Sequence, residues 1–363
     1  MDTAVRRRAG DVRPGTALRT LCRALLVAVP SLSLSCGLFW QLTAERLVSS
    51  FPLQKSIAGA AMDGARLYLA CGYSWEPGLT LMTLDISDPV ALASIGEPYP
   101  LGISSVRSVS VSGDRVFLSG SSLAVVDVSN PSAPTTVKTF SLGASSGGSI
   151  CSVAGAYLIA VVSSPPDVLV KVYDLSDLVN AAPPFPAPVG SLTLPGDSLD
   201  WGAQALIEDS RLYIFSSSAF TIVDLSAMAA PALLSKTPFY YGVPGEKGLA
   251  FKGGCAFLGC EYGEGFSRSG ETLILDVSNG AAPVYLATLE DLGAVMAVSG
   301  DYLLSASPVT GGSLVVHDIS NAFVPRYAAT LNVRKSGESI LPLGDYVLLL
   351  DSAISTVLIA PYR

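Results

Sequence analysis

The chain has 363 residues, half of them apolar, with 34 Gly and 24 Pro. Only 14% of the residues are charged, and the 30 Asp and Glu outnumber the 22 Lys and Arg. Six of the basic residues are arginines within the first 35 residues, so the rest of the chain is more acidic than the whole. An acidic body repels phosphate backbones, which argues against nucleic acid as a partner.

The amino-terminal segment predicts an export signal. A basic region and the apolar stretch ALLVAVPSLSLS precede Cys36. LSLSC resembles the lipobox at which bacterial lipoproteins are cut before a lipid-bearing cysteine, although Ser33 stands where Leu is usual. We therefore predict a lipoprotein-like signal peptide over residues 1–35, a lipid on Cys36 and a linker over residues 36–43. An uncleaved anchor helix over residues 24–40 and ordinary signal cleavage are the alternatives, and all three export the chain.

After the linker, one short pattern recurs along the chain: an apolar run, Asp, one aliphatic residue and Ser. LMTLDISDP, LAVVDVSNP and LVVHDISN are examples. The aspartates are Asp85, Asp127, Asp174, Asp224, Asp276 and Asp318, at spacings of 42, 47, 50, 52 and 42 residues. A period of this length is typical of repeat architectures, among them propellers.

Each repeat unit predicts four short strands separated by turn residues. The unit that begins at Ser105 runs VRSVSVSGDR, VFLSGSS, LAVVDVSNPSAP and TTVKTFSLGAS, and its Gly-Asp, Ser-Gly and Asp-x-Ser-x-Pro segments are turn sequences. No helical period interrupts the units. We therefore predict an all-β fold: a seven-bladed β-propeller over residues 44–363, built from four-stranded antiparallel blades.

The seventh unit, at the carboxyl end, lacks its outer strand. ESILPLGDYVLLLDS and STVLIAPYR supply three strands, and the aspartate of the repeat, expected at Ala360, is absent. The segment Glu45–Gln54 resembles an outer strand. Because an open array would leave exposed strand edges at both ends, we predict that this segment pairs with Thr356–Tyr362 and closes the ring.

The recurring aspartates are interpreted as structural. Asp and Ser two residues apart can accept backbone N–H bonds and hold a tight turn. A calcium site is the alternative, but the Gly and the distal Glu of a calcium loop are missing. LAVVDVSNP, TLILDVSNG and LVVHDISN resemble the LVIVD repeat of exported bacterial and archaeal proteins. The resemblance implies a β-propeller and implies no particular activity.

Four cysteines lie in the predicted propeller: Cys71, Cys151, Cys255 and Cys260. An even number in an exported chain would allow disulfides. However, Cys255 and Cys260 are five residues apart on one predicted strand, so their side chains point to opposite faces. We expect four small buried thiols, and no CxxC motif indicates a zinc site.

The variable connections between strands form the candidate binding face. Aromatic side chains alternate there with carboxylates, a composition that suits contact with a protein or a glycan. The candidate residues are Tyr73, Trp75, Glu76, Trp201, Tyr240, Tyr241, Tyr262, Glu264 and Phe266, with Asp200, Glu246 and Glu261 among them. The alternative is that these loops are simply variable and their rings cover the ends of the blades.

Catalytic motifs are scarce. His317 is the single histidine, and it precedes Asp318 on a predicted strand, where adjacent side chains point opposite ways. GxSxG, HExxH and P-loop motifs do not occur. The inner strands SVSV, CSVA, QALI, LAFK and VMAV are small and apolar, so no catalytic, metal or cofactor site is predicted. We expect a lipid-anchored, non-catalytic interaction scaffold of the cell envelope that binds an envelope protein or glycan. An exported hydrolase or lactonase with a metal in the central channel is the alternative.

Overall fold

Strands account for nearly all of the regular structure in the computed structural model, which describes residues 49–72, 78–145, 148–180, 186–200, 202–239, 247–262, 269–290, 292–307, 313–332, 339–351 and 356–362. All of these belong to one unit, Arg46–Arg363, while the other unit, Met1–Glu45, lies outside the described residues. The strands form six four-stranded sheets and one five-stranded sheet. Within the described ranges, no helix has the length and apolar content needed to span a membrane.

We number the sheets in chain order. Sheet 1 has five strands: β2 (Ile57–Asp63), β3 (Arg66–Cys71), β4 (Thr80–Asp85), β5 (Ala93–Ser94) and β6 (Tyr99–Pro100). Sheet 2 has β7 (Ser108–Ser112), β8 (Arg115–Ser119), β9 (Leu123–Asp127) and β10 (Thr135–Phe140). Sheet 3 has β11 (Ser149–Ala154), β12 (Tyr157–Ser164), β13 (Asp167–Asp174) and β14 (Gly190–Leu194).

The later sheets repeat the same order. Sheet 4 has β15 (Gln204–Glu208), β16 (Arg211–Phe215), β17 (Ala219–Asp224) and β18 (Ala232–Pro238). Sheet 5 has β19 (Lys247–Lys252), β20 (Cys255–Tyr262), β21 (Ser269–Asp276) and β22 (Val284–Glu290). Sheet 6 has β23 (Val295–Ser299), β24 (Tyr302–Ser307), β25 (Ser313–Asp318) and β26 (Arg326–Asn332). Sheet 7 has β27 (Ser339–Leu343), β28 (Tyr346–Asp351), β29 (Thr356–Pro361) and β1 (Ser49–Pro52).

The sheets form a propeller ring, so the all-β propeller prediction is confirmed. The first strand of each sheet lies innermost, and β2, β7, β11, β15, β19, β23 and β27 contact one another in that order around a central channel. The middle strands are buried on both faces. In β8, Val116 and Leu118 pack toward sheet 1, while Phe117 packs toward sheet 3. This two-sided burial explains the apolar runs of the repeat, because alternate side chains enter different cores.

Four strands per blade is correct for six sheets and wrong for sheet 1, whose outer strand is divided into β5 and β6. Between them the chain bends at Gly96, which has a φ of +71° and passes so close to sheet 2 that a Cβ would lie 2.5 Å from the Ser132 carbonyl oxygen. The Tyr99 hydroxyl also accepts the Thr136 N–H at 2.8 Å. This outer segment therefore contacts sheet 2 at the point where its pairing with β4 is interrupted.

The predicted ring closure is confirmed. The four residues of β1 pair with β29, from Ser49 opposite Ile359 to Pro52 opposite Thr356. Beyond this strand, Leu348 and Leu350 of sheet 7 share a buried cluster with Leu67 and Leu69 of sheet 1. Closure is therefore made by strand pairing and by the apolar core between the last sheet and the first.

The position of the lost aspartate is one residue later than predicted. In the other six sheets the repeat aspartate is paired with the first residue of the second strand, as Asp127 is with Arg115. In sheet 7 the residue in that place is Pro361, paired with Tyr346, and not Ala360. The next residue keeps the repeat's hydrogen bond, since the Tyr362 N–H donates to the Asp345 carbonyl at 3.2 Å.

Two local features depart from the simple repeat. The sequence predicts no helix, and this prediction is wrong at sheet 3, where α1 (Leu175–Asn180) replaces the third turn. Asp174 accepts the Ser176 N–H at 2.8 Å, as an N-cap residue does.

The outer strands of sheets 2, 4, 5 and 6 each carry a register shift. Bulges of this kind twist an edge strand and hinder pairing with other chains.

The expectation of four buried free thiols is confirmed: Cys71, Cys151, Cys255 and Cys260 are all buried and unbridged. Cys255 packs between sheets 5 and 6, and Cys260 packs between sheets 4 and 5, on opposite faces of β20. Burial raises the pKa of the Cys151 thiol to about 12. These cysteines act as small apolar side chains, since the reactive thiolate form is disfavoured.

Candidate functional site

The two ends of the ring differ in construction. The turn end carries the first hairpin of each sheet and the turn that follows each repeat aspartate. The loop end carries the connections from one sheet to the next and those between the two middle strands. The predicted binding face is the loop end, but Tyr73, Trp75, Glu76, Trp201, Tyr240, Tyr241, Glu264 and Phe266 lie outside the described residues, as does Cys36. Tyr262 is the last residue of β20.

Two carboxylates predicted to lie among the loop aromatics have partners inside the protein. The Asp200 carboxylate forms an ion pair with Lys247, at 2.5 Å. Glu261 is buried, and its Oε1 accepts the Ala294 N–H at 3.1 Å. These two side chains therefore stabilise the connections at the loop end, and the expectation that they belong to an exposed mixed surface is not met.

A cavity of about 350 Å³ opens into the channel between the inner strands. Its walls come from sheets 1, 2, 3, 4 and 7, near the loop end. The polar side chains that line it are Arg107, Ser108, Ser110, Ser152, Gln204 and Ser339. Apolar residues, including Ile57, Ala58 and Ile150, complete the wall. This volume is at the lower end of the range for small-molecule sites.

Arg107 is the cation in this cavity wall, and it reaches across sheet 3. Its Nη2 donates to the carbonyl oxygen of Asp200 and, at 3.4 Å, to that of Ala203, both in the connection that enters sheet 4. The Asp200 carbonyl oxygen thus accepts a hydrogen bond from Arg107, and the Asp200 carboxylate accepts one from Lys247, the first residue of β19. Burial lowers the pKa of Arg107 to about 10, with the nearby Asp200 charge acting in the opposite direction. The guanidinium remains charged at neutral pH.

Sequence reasoning missed this cluster. The inner-strand sequences predict small apolar side chains, yet Arg107 immediately precedes β7 and Lys247 begins β19. Both lie at the loop end of an inner strand, where a side chain reaches the channel opening. A search for charged residues at the start of each inner strand would have found them. Their joint contact with Asp200 could not be read from sequence, because the three residues come from different repeats.

A comparison with protein families identifies the repeat. The LVIVD repeat model matches residues 104–141 and 295–327. The chain thus carries the LVIVD repeat at these two places. The first match spans all four strands of sheet 2, and the second spans β23, β24 and β25 of sheet 6. A comparison with curated proteins gives no match.

Solved structures similar to this chain share its fold at low sequence identity. BamB from Moraxella catarrhalis has a TM-score of 0.56 and 13% identity, over 87% of this chain and 99% of BamB. The WD40 β-propeller domain of Doa1 has a TM-score of 0.59 and 11% identity, over 88% of this chain and 98% of that domain. A proposed 6-phosphogluconolactonase from Bacteroides fragilis has a TM-score of 0.59 and 11% identity, over 77% of this chain and 85% of the other. At these identities the likeness shows the propeller fold.

The recurring aspartate forms the same hydrogen bond in six sheets. Its Oδ1 accepts the N–H of the serine two residues later, at 2.8 to 2.9 Å, in Asp85, Asp127, Asp174, Asp224, Asp276 and Asp318. Hydrogen bonds from that serine, through its hydroxyl and its N–H, lower the pKa of each aspartate. The residue between them is aliphatic, and its N–H donates to the first hairpin of the same sheet, as from Val128 to Asp114 at 2.9 Å. The motif thus ties the two turns of each sheet together.

His317 lies away from the cavity, in sheet 6. It is buried in β25, is paired with Leu303 and Tyr327 across the sheet, and meets the Tyr327 ring edge-on at 6.0 Å between centroids. Burial lowers its pKa, which favours the neutral imidazole. Among the residues that the structure describes, no group of three or more His, Cys, Asp or Glu side chains could hold a metal ion.

Proposed function

We propose that this LVIVD-repeat propeller is a non-catalytic binding scaffold of the cell envelope, attached to the membrane through a lipid on Cys36, and that it binds a protein or glycan at the loop end. The observation that carries the proposal is the contrast between the two ends. At the turn end the same hydrogen bonds recur from sheet to sheet. The channel wall at the loop end varies instead, since the position of Ser108 in sheet 2 is taken by Ile150 in sheet 3 and by Gln204 in sheet 4. A rigid scaffold that presents variable connections is the usual arrangement of a binding protein.

The charges at the channel opening favour binding over metal-dependent hydrolysis. A divalent cation in the cavity would lie beside the guanidinium of Arg107, and like charges repel strongly where water is partly excluded. A hydrolase would also need a general base within reach of its substrate. The described polar residues of the cavity wall are one arginine, serines and a glutamine, which bind polar groups but do not activate water.

A capture experiment with two matched pairs of substitutions tests the proposal. In one variant Trp75→Ala and Tyr262→Ala are combined, which removes two rings from the candidate face. The control combines Tyr285→Ala and Tyr327→Ala, which are 60% and 65% exposed on the outer strands. Each purified protein is used to capture partners from envelope extracts. We expect the first pair to lose a partner that the wild type and the control retain, because interface aromatics contribute most of the contact energy. Equal capture by all three proteins would contradict a binding site at the loop end.

A further inference from the structure

The outer edges of sheets 5 and 6 carry large apolar side chains that face solvent. We call this group the rim patch: Val284, Tyr285, Leu286, Phe323, Val324 and Tyr327, with exposed fractions from 37% to 65%. Ala322, next to Phe323, is buried in a cluster against which Ala287 of β22 packs, so the two halves of the patch adjoin. An aromatic side chain has a surface of about 150–250 Å², so the three rings alone expose roughly 300 Å². A contiguous apolar patch of this size indicates an interaction site.

The fold does not require these large side chains. The turn after the recurring aspartate closes with the same backbone hydrogen bond in five sheets, and its N–H donors are Ala91, Ala133, Ala230, Ala282 and, in sheet 6, Val324. Ser132 of sheet 2 has the position of Phe323, and Thr135 has that of Val284. Small or polar residues therefore form the same turn elsewhere, and the rim patch serves contact with something outside the fold.

The charge of the rim patch differs from that of the whole chain. Segments 277–289 and 319–332 contain no Asp or Glu, and Arg326 is their single charged residue, although acidic residues outnumber basic ones in the whole chain. Each tyrosine of the patch hydrogen-bonds through its hydroxyl to a threonine three residues later. Aromatic and aliphatic side chains together with arginine are the composition of surfaces that lie at a membrane interface.

The amino-terminal strand enters the ring beside this patch. β1 is the outer strand of sheet 7, and its first residue, Ser49, pairs with Ile359, near the end of β29 that lies at the turn end. Sheet 6 adjoins sheet 7, and the rim patch lies toward the turn end of its outer strand. Cys36 precedes Ser49 by 13 residues, which span at most about 45 Å. A lipid on Cys36 therefore keeps a bilayer within reach of the rim patch.

We propose that the rim patch rests on the surface of a lipid bilayer, with its aromatic and aliphatic side chains among the headgroups. The proposal rests on the lipid anchor of the proposed function and specifies which edge of the propeller meets the membrane. Zwitterionic lipid suits this contact, because the acidic body repels anionic headgroups. Contact near the turn end of sheets 5 and 6 leaves the loop end open to partners.

Vesicle sedimentation of the propeller without its lipid tests the proposal. Residues 37–363 are used, since the propeller is one unit that β1 closes. The vesicles are pure phosphatidylcholine, which has no net charge, so binding reports apolar contact. We expect the wild-type protein to sediment with the vesicles to the same extent at low and high salt, because salt screens charges and does not weaken apolar contact.

The variants exchange residues between equivalent positions. One combined variant carries the residues of sheet 2: Val284→Thr, Phe323→Ser and Val324→Ala. It should bind at least about tenfold more weakly, because three apolar side chains no longer enter the interface. Leu233→Thr makes the same kind of change in sheet 4, where Leu233 is 44% exposed, and should bind as the wild type does. Phe323→Leu keeps an apolar side chain and should retain binding. If the combined variant melts at a lower temperature, Phe323→Ser alone replaces it.

The proposal is overturned if the wild type does not bind the vesicles, if binding disappears at high salt, or if the combined variant binds equally well. A dimer in solution that the combined variant lacks would assign the patch to a second copy of the chain, which also overturns it. The proposed anchor and scaffold have separate outcomes. A lipid found on Cys36 without vesicle binding would leave the anchor standing and remove the patch. The Trp75→Ala/Tyr262→Ala variant should keep vesicle binding even where it loses partner capture.

Discussion

Replacing Gly248 by alanine should lower the free energy of unfolding by about 3 kcal/mol, because the added methyl group has no space. Gly248 lies in β19, where sheet 5 packs against the connection into sheet 6. A Cβ there would overlap the carbonyl oxygen of Ala294 and lie 2.7 Å from its carbonyl carbon, whereas ordinary van der Waals contact begins near 3.4 Å.

The carbonyl of Ala294 has little freedom to move. Ala294 is fully buried, and its N–H donates to Glu261 at 3.1 Å. The neighbouring Gly293 carbonyl accepts the hydroxyl of Ser305 at 3.1 Å. Relief of the clash therefore requires sheets 5 and 6 to separate or a hydrogen bond to break, which places the cost at the upper end of the range of about 1–3 kcal/mol for overpacked cores.

Gly59→Ala is the matched control. Gly59 is also an inner-strand glycine, in β2, but the nearest atom to an added Cβ is the Cγ2 of Val109 at 3.0 Å. A valine methyl can shift, so we expect a cost of about 1 kcal/mol or less. Urea unfolding and thermal melting of both variants measure the difference, and about 3 kcal/mol corresponds to a fall of roughly 4–5 °C in a domain of this size. Equal melting temperatures for the two variants would refute the reasoning, because both add the same methyl group to an inner strand and only one places it against a fixed carbonyl.

Three further predictions concern the anchor, a turn and the histidine. Cys36→Ala should abolish lipid attachment, as checked by mass spectrometry and membrane fractionation; unchanged fractionation with no lipid on the wild type would favour the uncleaved anchor helix. Ser210→Gly should raise the free energy of unfolding by about 0.5 kcal/mol, because Ser210 has a φ of +58° and glycine adopts that conformation at less cost; an unchanged or lower urea midpoint would contradict this. The pKa of His317 in the folded protein lies below its unfolded value of about 6.5, so the unfolded chain binds more protons between the two values. The contribution of His317 to stability should therefore be full above about pH 6.5 and fall as the pH drops below it. NMR titration of this single imidazole checks the direction, and a folded pKa above 6.5 would show that it is wrong.

Most of the fold could be predicted because the repeat's hydrogen bonds are local. The carboxylate of Asp127 and the N–H of Ser129 are two residues apart, so the motif and the turn that it forms are visible together in the sequence. The closing strand could be predicted for a similar reason. A repeat that ends one strand short implies a missing partner, and β1 was the remaining segment with a strand pattern.

Departures from the repeat could not be predicted, since they involve contacts between sheets. The outer strand of sheet 1 is divided where Gly96 and Tyr99 contact sheet 2. Glu261 was interpreted as part of an exposed surface, although its carboxylate binds Ala294, in the connection into the next sheet. A single sequence gives the residue types but does not show which partner each one meets.

The candidate site is hard to predict because its contacts also join different sheets. Side chains that serve the framework occur at equivalent positions in several sheets, because each sheet must form the same turns. Arg107 and Lys247 occupy the same inner-strand position in sheets 2 and 5, and both bind Asp200, which lies in the connection into sheet 4. A ring that needed only stability could use the same short contacts in every sheet. The partly buried charges at the loop end instead join sheets 2 and 5 to the connection into sheet 4, and a contact of this kind cannot be read from a single repeat unit.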